Sequence, residues 1–206
     1  MPHPARSARA LERRRKILAA ARAVFQESGG LSAGLRPIAA AAGCTTGAIY
    51  ASFASKEDIY AALLEDSLRE LAAAVAGAAA KAVEPEAVLR AAASAFFEFY
   101  QSRAFELRLG LYLFEQDGRT GLGSERDKAL NARLAETLDV FAAAFARLGA
   151  PSEALPQEPR DLANGLFAAL IGVLVMAISG RDHSLKTDAT RMLDGLLDIH
   201  LASLKK

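Results

Sequence analysis

Residues 35–53 read LRPIAAAAGCTTGAIYASF, and this stretch decides the fold. It predicts two short helices, over residues 35–42 and 45–53, with a turn at Gly43 between them. Gly43 suits the left-handed residue that closes a helix. Thr45 is a good N-cap, because its hydroxyl can accept from a backbone N–H one turn on. The stretch is therefore a candidate helix–turn–helix, in which the first helix braces the second so that it can enter the major groove of DNA.

The remainder of the chain is predicted to be helical as well. Apolar residues recur at helical spacing in each of the following ranges: 17–28, 56–75, 86–100, 124–148, 160–179 and 187–204. Residues 105–113 alternate between apolar and other residues, as in a half-buried strand. A helix is the preferred interpretation there, since an isolated strand among helices would have no partner. The fold class predicted from the sequence is all-α.

Length and composition exclude several classes of protein. The chain has 206 residues, 52% of them hydrophobic, which excludes a disordered chain and allows one or two domains. The single cysteine, Cys44, cannot form an intrachain disulfide, which excludes a secreted fold held together by disulfides. A reducing cytoplasm is therefore expected. Residues 1–16 are basic but no apolar stretch follows them, so they do not form a secretory signal.

Charge is unevenly distributed along the chain. Residues 1–56 carry nine basic and two acidic side chains, a balance of +7, whereas the remainder carries 16 basic and 22 acidic ones, a balance of −6. A basic end on an acidic body suggests that the first part meets a polyanion. A solvated basic tail is the alternative at this point.

One apolar run resembles a membrane span. Residues 162–180 contain no charged side chain, which approaches the length of about 20 residues that a spanning helix needs. Asn164 interrupts the run, however, and both signs of charge flank it without any Trp or Tyr to mark an interface. A buried helix is therefore preferred, and no membrane partner is expected.

The helix–turn–helix and its flanks closely resemble the DNA-binding domain of the tetracycline-repressor (TetR) family. The resemblance rests on these residues: Ile38-Ala39, Ala42 through Tyr50, Phe53, Ser55-Lys56-Glu57, and the preceding basic helix with Ala21, Phe25 and Gly29. It covers residues 11 to about 70. It implies a three-helix DNA-binding domain at 11–71, with the helix–turn–helix at 35–54. A long helix would join that domain to a helical ligand-binding and dimerisation bundle at 80–206.

The resemblance also implies roles for individual residues. A small core of Ile38, Ala39, Ala42, Cys44, Ile49 and Phe53 would hold the two short helices together. Gly47 would let the recognition helix approach the duplex backbone closely, and Arg6 and Arg9 could form an arm on the duplex. The full set expected to contact double-stranded DNA is Arg13, Arg14, Arg36, Thr45, Thr46, Gly47, Ala48, Tyr50, Ser52 and Lys56.

The chain departs from the family pattern at several positions. Gly34 stands where Thr or Ser commonly caps the first short helix, and Pro37 replaces a residue that is often polar. Ala51-Ser52 occupies a place where many members carry His or Tyr, so affinity for each half-site is expected to rest more on the arginines. Cys44 is interpreted as a small core residue rather than a nucleophile, because no histidine at a suggestive spacing would serve as its base.

Aromatic residues concentrate between positions 96 and 145 and predict an apolar pocket in the second part of the chain. Individually they would also suit an ordinary core. Together with a few polar groups they could bind a small, mostly hydrophobic effector. The candidate ligand-binding residues are Phe96, Phe99, Tyr100, Phe105, Arg108, Leu109, Tyr112, Glu115, Phe141 and Phe145. Effector binding would favour a dimer whose recognition helices no longer match the operator.

The last two long helices carry surplus apolar surface that suits a two-fold, four-helix interface. An internal core pair is the alternative. The candidate interface residues are Leu166, Ala169, Leu170, Gly172, Val173, Leu174, Ala177, Met192, Leu193, Leu196 and Leu197. A homodimer also agrees with DNA recognition, since palindromic half-sites double the contact that one short helix makes.

The sequence thus predicts a cytoplasmic DNA-binding transcriptional regulator, and more specifically a homodimeric repressor released by an effector. It shows no convergent acid, base or nucleophile set, so an enzyme is not expected, nor are a cofactor or a metal. The loop at residues 118–123 is interpreted as a flexible connection, because its glycine spacing is not that of a dinucleotide site. A helical adaptor for other proteins, with a degenerate DNA face, is the alternative function.

Overall fold

The structure is a computed structural model that describes residues 4–28, 33–111, 122–150 and 157–202. Within these ranges it contains ten helices and no strand, which confirms the all-α prediction. The helices, in chain order, are α1 (Pro4–Ser28), α2 (Leu35–Ala41), α3 (Thr46–Tyr50), α4 (Lys56–Ala79), α5 (Pro85–Gln101), α6 (Ala104–Gly110), α7 (Ser124–Arg147), α8 (Pro159–Ile178), α9 (Arg181–Ser184) and α10 (Ala189–Ala202).

Three segments merit comparison with the sequence-based expectations. The ambiguous stretch after residue 104 is helix α6, as preferred. The four-residue helix α9 was not predicted; it follows Gly180, whose φ of +68° is left-handed, and it is too short to show a periodic pattern. Arg6 and Arg9, expected to form an arm on the duplex, both lie within the continuous helix α1, and their contact with DNA stays a prediction.

The described residues divide into two compact units. The first comprises Met1–Ser67 and Phe105–Leu130, and the second comprises Leu68–Ala104 and Asn131–Lys206. The predicted domain limits, 11–71 and 80–206, place residues 105–130 with the second part of the chain, whereas these units group them with the first. Those limits as the borders of independent domains stay a prediction.

In the first unit, α1 packs against α2, and α2 packs against α3. The buried side chains include Ile17, Phe25, Ile38 and Ile49, all fully shielded from solvent. The helix α4 begins with a reciprocal cap, because Ser55 Oγ accepts from the backbone N–H of Asp58 while Asp58 Oδ2 accepts from that of Ser55. This cap fixes the start of α4 directly after the helix–turn–helix.

In the second unit, α8 packs against α5, α9 and α10, and α10 also packs against α5. Burial of the apolar faces of these helices supplies the main stabilisation. Arg90 of α5 binds Asp198 of α10 at 2.5 Å, and this hydrogen bond raises the pKa of Arg90 above its ordinary value. The ion pair ties the last described helix to the bundle.

The apolar run within α8 gives one helix that is long and apolar enough to cross a membrane by length and composition. The core helix of a soluble protein passes the same test. Five of its side chains are buried within the chain itself, among them Leu166, Leu170 and Leu174. The helix packs against α5 and α10, and 28% of its most apolar 18-residue stretch is buried within the described residues.

Candidate nucleic-acid interface

The turn between α2 and α3 has the predicted backbone. Gly43 takes a left-handed φ of +63°, which a residue with a side chain adopts at a cost. Thr45 is the N-cap of α3, and its Oγ1 accepts a hydrogen bond of 3.2 Å from the backbone N–H of Ala48. These two residues set the direction in which α3 leaves the turn. The weak cap expected at Gly34 is also observed, since it caps α2 without a side-chain bond.

The helix α3 has one buried and one open side. Ile49 is fully buried against the first unit, whereas Gly47 is exposed and Tyr50 keeps 58% of its surface exposed. Thr46 and Ala48 are half-buried. A Cβ added at Gly47 would meet only Thr45 Oγ1, at 3.7 Å, so nothing within the chain requires a glycine there. The open side of α3 is therefore the part of the helix–turn–helix that another molecule can reach.

Arg14 has a role inside the domain that the sequence did not predict. Its guanidinium lies 4.2 Å from the centre of the Phe53 ring and donates to the backbone oxygen of Ser52 at 3.3 Å. A cation held over an aromatic face is attracted by the ring electrons. Arg14 thus fastens α1 to the segment that follows α3, and its predicted contact with DNA competes with this brace.

Positive charge surrounds the turn. Arg9, Arg13 and Lys16 of α1 are exposed and line a cavity of about 300 Å³ that also touches Gly43 and Cys44 of the turn. Glu12 shares this cavity, and Lys16 pairs with it at 4.0 Å across a solvent-exposed surface. Three cations against this one carboxylate leave the local balance of charge positive.

The other predicted DNA contacts lie on the same unit. Arg36 is exposed in the first turn of α2, Ser52 is half-buried, and Lys56 is half-buried at the first position of α4. Cys44 and Ala42 are half-buried rather than fully buried, unlike the remaining members of the predicted small core. The cavity beside Cys44 explains this difference, because α1 does not cover that side of the turn completely.

A buried ion pair in the first unit was not predicted. Glu106 of α6 accepts a short hydrogen bond from Arg22 of α1, and its side chain is only 7% exposed. The hydroxyl of Tyr60 donates to the backbone oxygen of Leu109 at 2.6 Å in the interior. The sequence signal that could have indicated this pair is Glu106 itself, a charged residue between the apolar Phe105 and Leu107. These contacts make α6 part of the support for α1 and α4.

A third contact joins the start of α7 to this unit. Arg126 binds Asp58 at 2.6 Å and also donates to the backbone oxygen of Leu122 at 3.1 Å. Asp58 is the carboxylate partner of Ser55 in the reciprocal cap of α4. The arginine therefore reinforces the cap that positions α4 after the recognition helix.

The candidate ligand-binding residues fall into three groups. Phe105, Arg108 and Leu109 belong to the first unit, while Tyr112 and Glu115 lie outside the described residues. The others belong to the second unit and are buried there: Phe96, Phe99, Tyr100, Phe141 and Phe145. The structure does not place all ten residues in one compact unit.

Within the second unit, the aromatic side chains form a cluster around Phe96. Its ring centre lies 5.1 Å from that of Tyr100, 6.2 Å from that of Phe141 and 5.9 Å from that of Phe167. The rings of Tyr100 and Phe167 meet that of Phe96 at 67° and 88°, the edge-to-face arrangement that aromatic pairs favour, and the ring of Phe141 is tilted at 60°. Phe167 was not among the predicted pocket residues. The cluster brings α5, α7 and α8 together.

The candidate dimer residues divide between the interior and the surface. Six of them are buried within their own chain, and the assignment of the set to a dimer interface stays a prediction: Leu166, Leu170, Val173, Leu174, Leu193 and Leu197. The remaining five are exposed or half-buried: Ala169, Gly172, Ala177, Met192 and Leu196. The reason is geometric, because α8 and α10 use one apolar stripe each to pack on α5 and on each other.

In the part of the chain that the structure describes, no group of three or more His, Cys, Asp or Glu side chains could hold a metal ion.

Comparison with known proteins identifies the N-terminal region. Residues 17–63 match the family model of the bacterial regulatory proteins of the tetR family. The transcriptional activator FasR of Mycolicibacterium smegmatis is 36% identical over 106 residues, which are 52% of this chain. The aligned part is 47% of FasR, so this chain spans about half the length of that relative.

Solved structures share the fold along almost the whole chain. A FadR regulator of Bacillus subtilis, in complex with stearoyl-CoA, superposes with a TM-score of 0.71 and 18% identity, covering 91% of this chain and 97% of FadR. A regulatory protein of the tetR family from Rhodococcus RHA1 gives 0.72 and 19%, with 93% and 96% covered. Residues 17–63, which include the helix–turn–helix, thus match the tetR family of bacterial regulatory proteins, and the chain shares its fold with these solved structures.

Proposed function

We propose that this protein is a homodimeric regulator that binds a palindromic operator through α3 and is released from it by a hydrophobic effector. One observation carries the proposal: the helix α3, capped by Thr45, presents an open side beside a cluster of exposed cations. A short capped helix on a rigid support is what major-groove reading requires. Cations beside it supply the attraction to phosphates that dominates affinity.

The open side of α3 suggests that some of the predicted DNA contacts are made to bases and others to the DNA backbone. Tyr50 offers an exposed ring and hydroxyl, and Gly47 leaves the backbone accessible to a close approach. Arg13 and Arg36 are exposed and would bind phosphates. Arg14, held over Phe53, would act mainly by keeping α1 in place. Contacts to bases would then come from α3 and contacts to the backbone from α1 and α2.

The outward side of α8 supports the homodimer. Gly165, Ala168, Gly172 and Val175 are exposed in this protomer and lie on one side of the helix. A Cβ at Gly172 would meet nothing within 4 Å, so the surface is open to another molecule. Small residues let a partner helix approach closely, and isologous pairing of this surface would give a two-fold dimer.

The effector that we propose is a long-chain fatty acyl compound. The second unit has the aromatic cluster around Phe96, an apolar environment suited to a hydrocarbon chain. The Bacillus subtilis FadR of the same fold is in complex with stearoyl-CoA. If the effector binds the DNA-free form more tightly, linkage requires that it weaken operator binding by the same factor.

The sign of regulation follows from where the operator lies. Release by an effector makes the protein a repressor when the operator overlaps a promoter, and this is the function we propose in the bacterial cytoplasm. The relative from Mycolicibacterium smegmatis is an activator, so a reporter assay must measure the sign. Rising expression upon deletion of the protein supports repression, and falling expression overturns it.

The proposal is tested by selecting bound duplexes from a random DNA pool and adding stearoyl-CoA to the selected complex. We expect an enriched inverted repeat, bound by two protomers, whose affinity falls as stearoyl-CoA is added. Enrichment of no sequence would contradict operator recognition and favour the adaptor alternative. A selected operator whose affinity is unchanged by stearoyl-CoA would contradict the acyl effector alone.

A further inference from the structure

A buried hydroxyl in the second unit has no hydrogen-bond partner among the residues that the structure describes. Thr137 of α7 is 0% exposed, and its Oγ1 makes no hydrogen bond to any part of the chain that the structure describes. A threonine within a helix commonly satisfies its hydroxyl by bonding a backbone oxygen of the preceding turn. Thr137 does not do so, and leaving a buried hydroxyl without a hydrogen bond destabilises a protein. Such a group in a native protein calls for an explanation.

The position of Thr137 relates it to the aromatic cluster. Phe141 lies four residues further along α7, so both side chains are on one face of that helix. Phe141 packs against Phe96, and Phe96 packs against Phe167. All four residues belong to the second unit. The face of α7 that contacts the apolar cluster therefore also carries an unused hydrogen-bond donor.

We infer that Thr137 is the polar anchor for the effector in the second unit, and that its hydroxyl donates a hydrogen bond to the carbonyl oxygen of an acyl group. The inference rests on the proposed acyl effector. An apolar chain that entered between α5, α7 and α8 would find aromatic side chains along its length. A carbonyl oxygen on that chain, removed from water, needs a donor, and Thr137 supplies one without breaking any existing bond.

The chemical class follows from these partners. The ligand has a long apolar body that carries a carbonyl oxygen as a hydrogen-bond acceptor, as in a fatty acyl thioester. A purely hydrocarbon ligand would leave the hydroxyl as unsatisfied as it is in the free protein. Thr137 thus distinguishes acyl compounds from alkyl compounds of equal length, because only an acyl compound has a carbonyl oxygen that accepts a hydrogen bond from the buried hydroxyl.

The test compares two variants with two probes in the full-length protein. Thr137→Val replaces the hydroxyl with a methyl group of similar size, and Thr190→Val does the same at an exposed site on α10. The probes are stearoyl-CoA and S-octadecyl-CoA, a thioether that lacks the carbonyl oxygen. Titration calorimetry is done below the concentrations at which either probe forms micelles.

We expect Thr137→Val to bind stearoyl-CoA about tenfold more weakly, which corresponds to about 1.4 kcal/mol, and to bind the thioether as wild type does. The free variant should melt at the same or a higher temperature than wild type, since an unsatisfied hydroxyl has been removed. Thr190→Val should match wild type with both probes.

Two results would overturn the inference on different grounds. If wild type binds stearoyl-CoA and Thr137→Val binds it equally well, or loses both probes equally, Thr137 is not the anchor. If wild type binds neither probe, the acyl effector of the proposed function fails, and the anchor fails with it.

Discussion

Replacing Arg22 with methionine is expected to destabilise the first unit more than replacing its partner Glu106 with glutamine. The two side chains form an ion pair between α1 and α6, but they are unequally buried: 41% of Arg22 is exposed and only 7% of Glu106. Arg22→Met therefore leaves a buried carboxylate without a counter-charge. Glu106→Gln leaves a guanidinium that water still reaches.

The magnitudes follow from this asymmetry. Breaking a buried pair by removing one partner costs about 3–5 kcal/mol, and partial exposure places Arg22→Met near the lower limit, at about 3 kcal/mol. Glu106→Gln keeps a hydrogen bond but loses its charge assistance, at a cost of about 1 kcal/mol. The double variant Arg22→Met with Glu106→Met removes both charges and should recover to within about 1 kcal/mol of wild type.

The assay is urea unfolding followed by circular dichroism at 222 nm, with hydrogen exchange of α1 peptides to localise the effect. Arg69→Met, on an exposed position of α4 in the second unit, is the control and should change α1 exchange little. The reasoning is refuted if Glu106→Gln costs as much as Arg22→Met, or if the double variant is no more stable than Arg22→Met.

Three further substitutions test the turn before α3, the cap of α3 and the proposed dimer surface of α8. Gly43→Ala should lower the free energy of unfolding by about 1 kcal/mol, because φ is +63° while the new Cβ meets nothing; an unchanged urea midpoint would contradict this. Thr45→Ala removes the cap of α3 and should cost about 1 kcal/mol and weaken operator binding in fluorescence anisotropy, whereas Thr45→Ser should do neither. Gly172→Leu should leave the melting of the protomer unchanged but yield monomers in sedimentation velocity; a stable dimer would exclude this position from the interface.

Most of the architecture could be predicted from the sequence, because its signals are local. Gly43 and Thr45 specify the turn through their own backbone and side-chain chemistry, and both have the predicted geometry. Pro85 stands in the first turn of α5, the position that tolerates proline. The short helix α9 was not predicted, because four residues are too few to show a periodic pattern of apolar residues.

The contacts of the site that could not be predicted join residues that lie far apart in the sequence. Arg14 was assigned to DNA from its charge, but its position over Phe53 depends on how α1 crosses the helix–turn–helix. The pairing of Arg22 with Glu106 joins residues 84 positions apart. Likewise, Leu170 and Val175 of α8 are both apolar, and the sequence does not tell them apart. Only the packing of the helix shows that Leu170 is buried and Val175 is exposed.

Direct measurement of sequence-specific DNA binding tests the central claim. Fluorescence anisotropy would compare wild type and Tyr50→Ala on the selected operator and on a scrambled duplex, at several salt concentrations. We expect wild type to prefer the operator and its affinity to fall with salt, with a log–log slope of about −0.9 for each phosphate neutralised. Tyr50→Ala should lose the preference for the operator while keeping the salt dependence, because Tyr50 lies on the open side of α3. Equal binding of wild type to both duplexes, or binding insensitive to salt, would contradict the claim that α3 and its neighbouring cations form a DNA-reading surface.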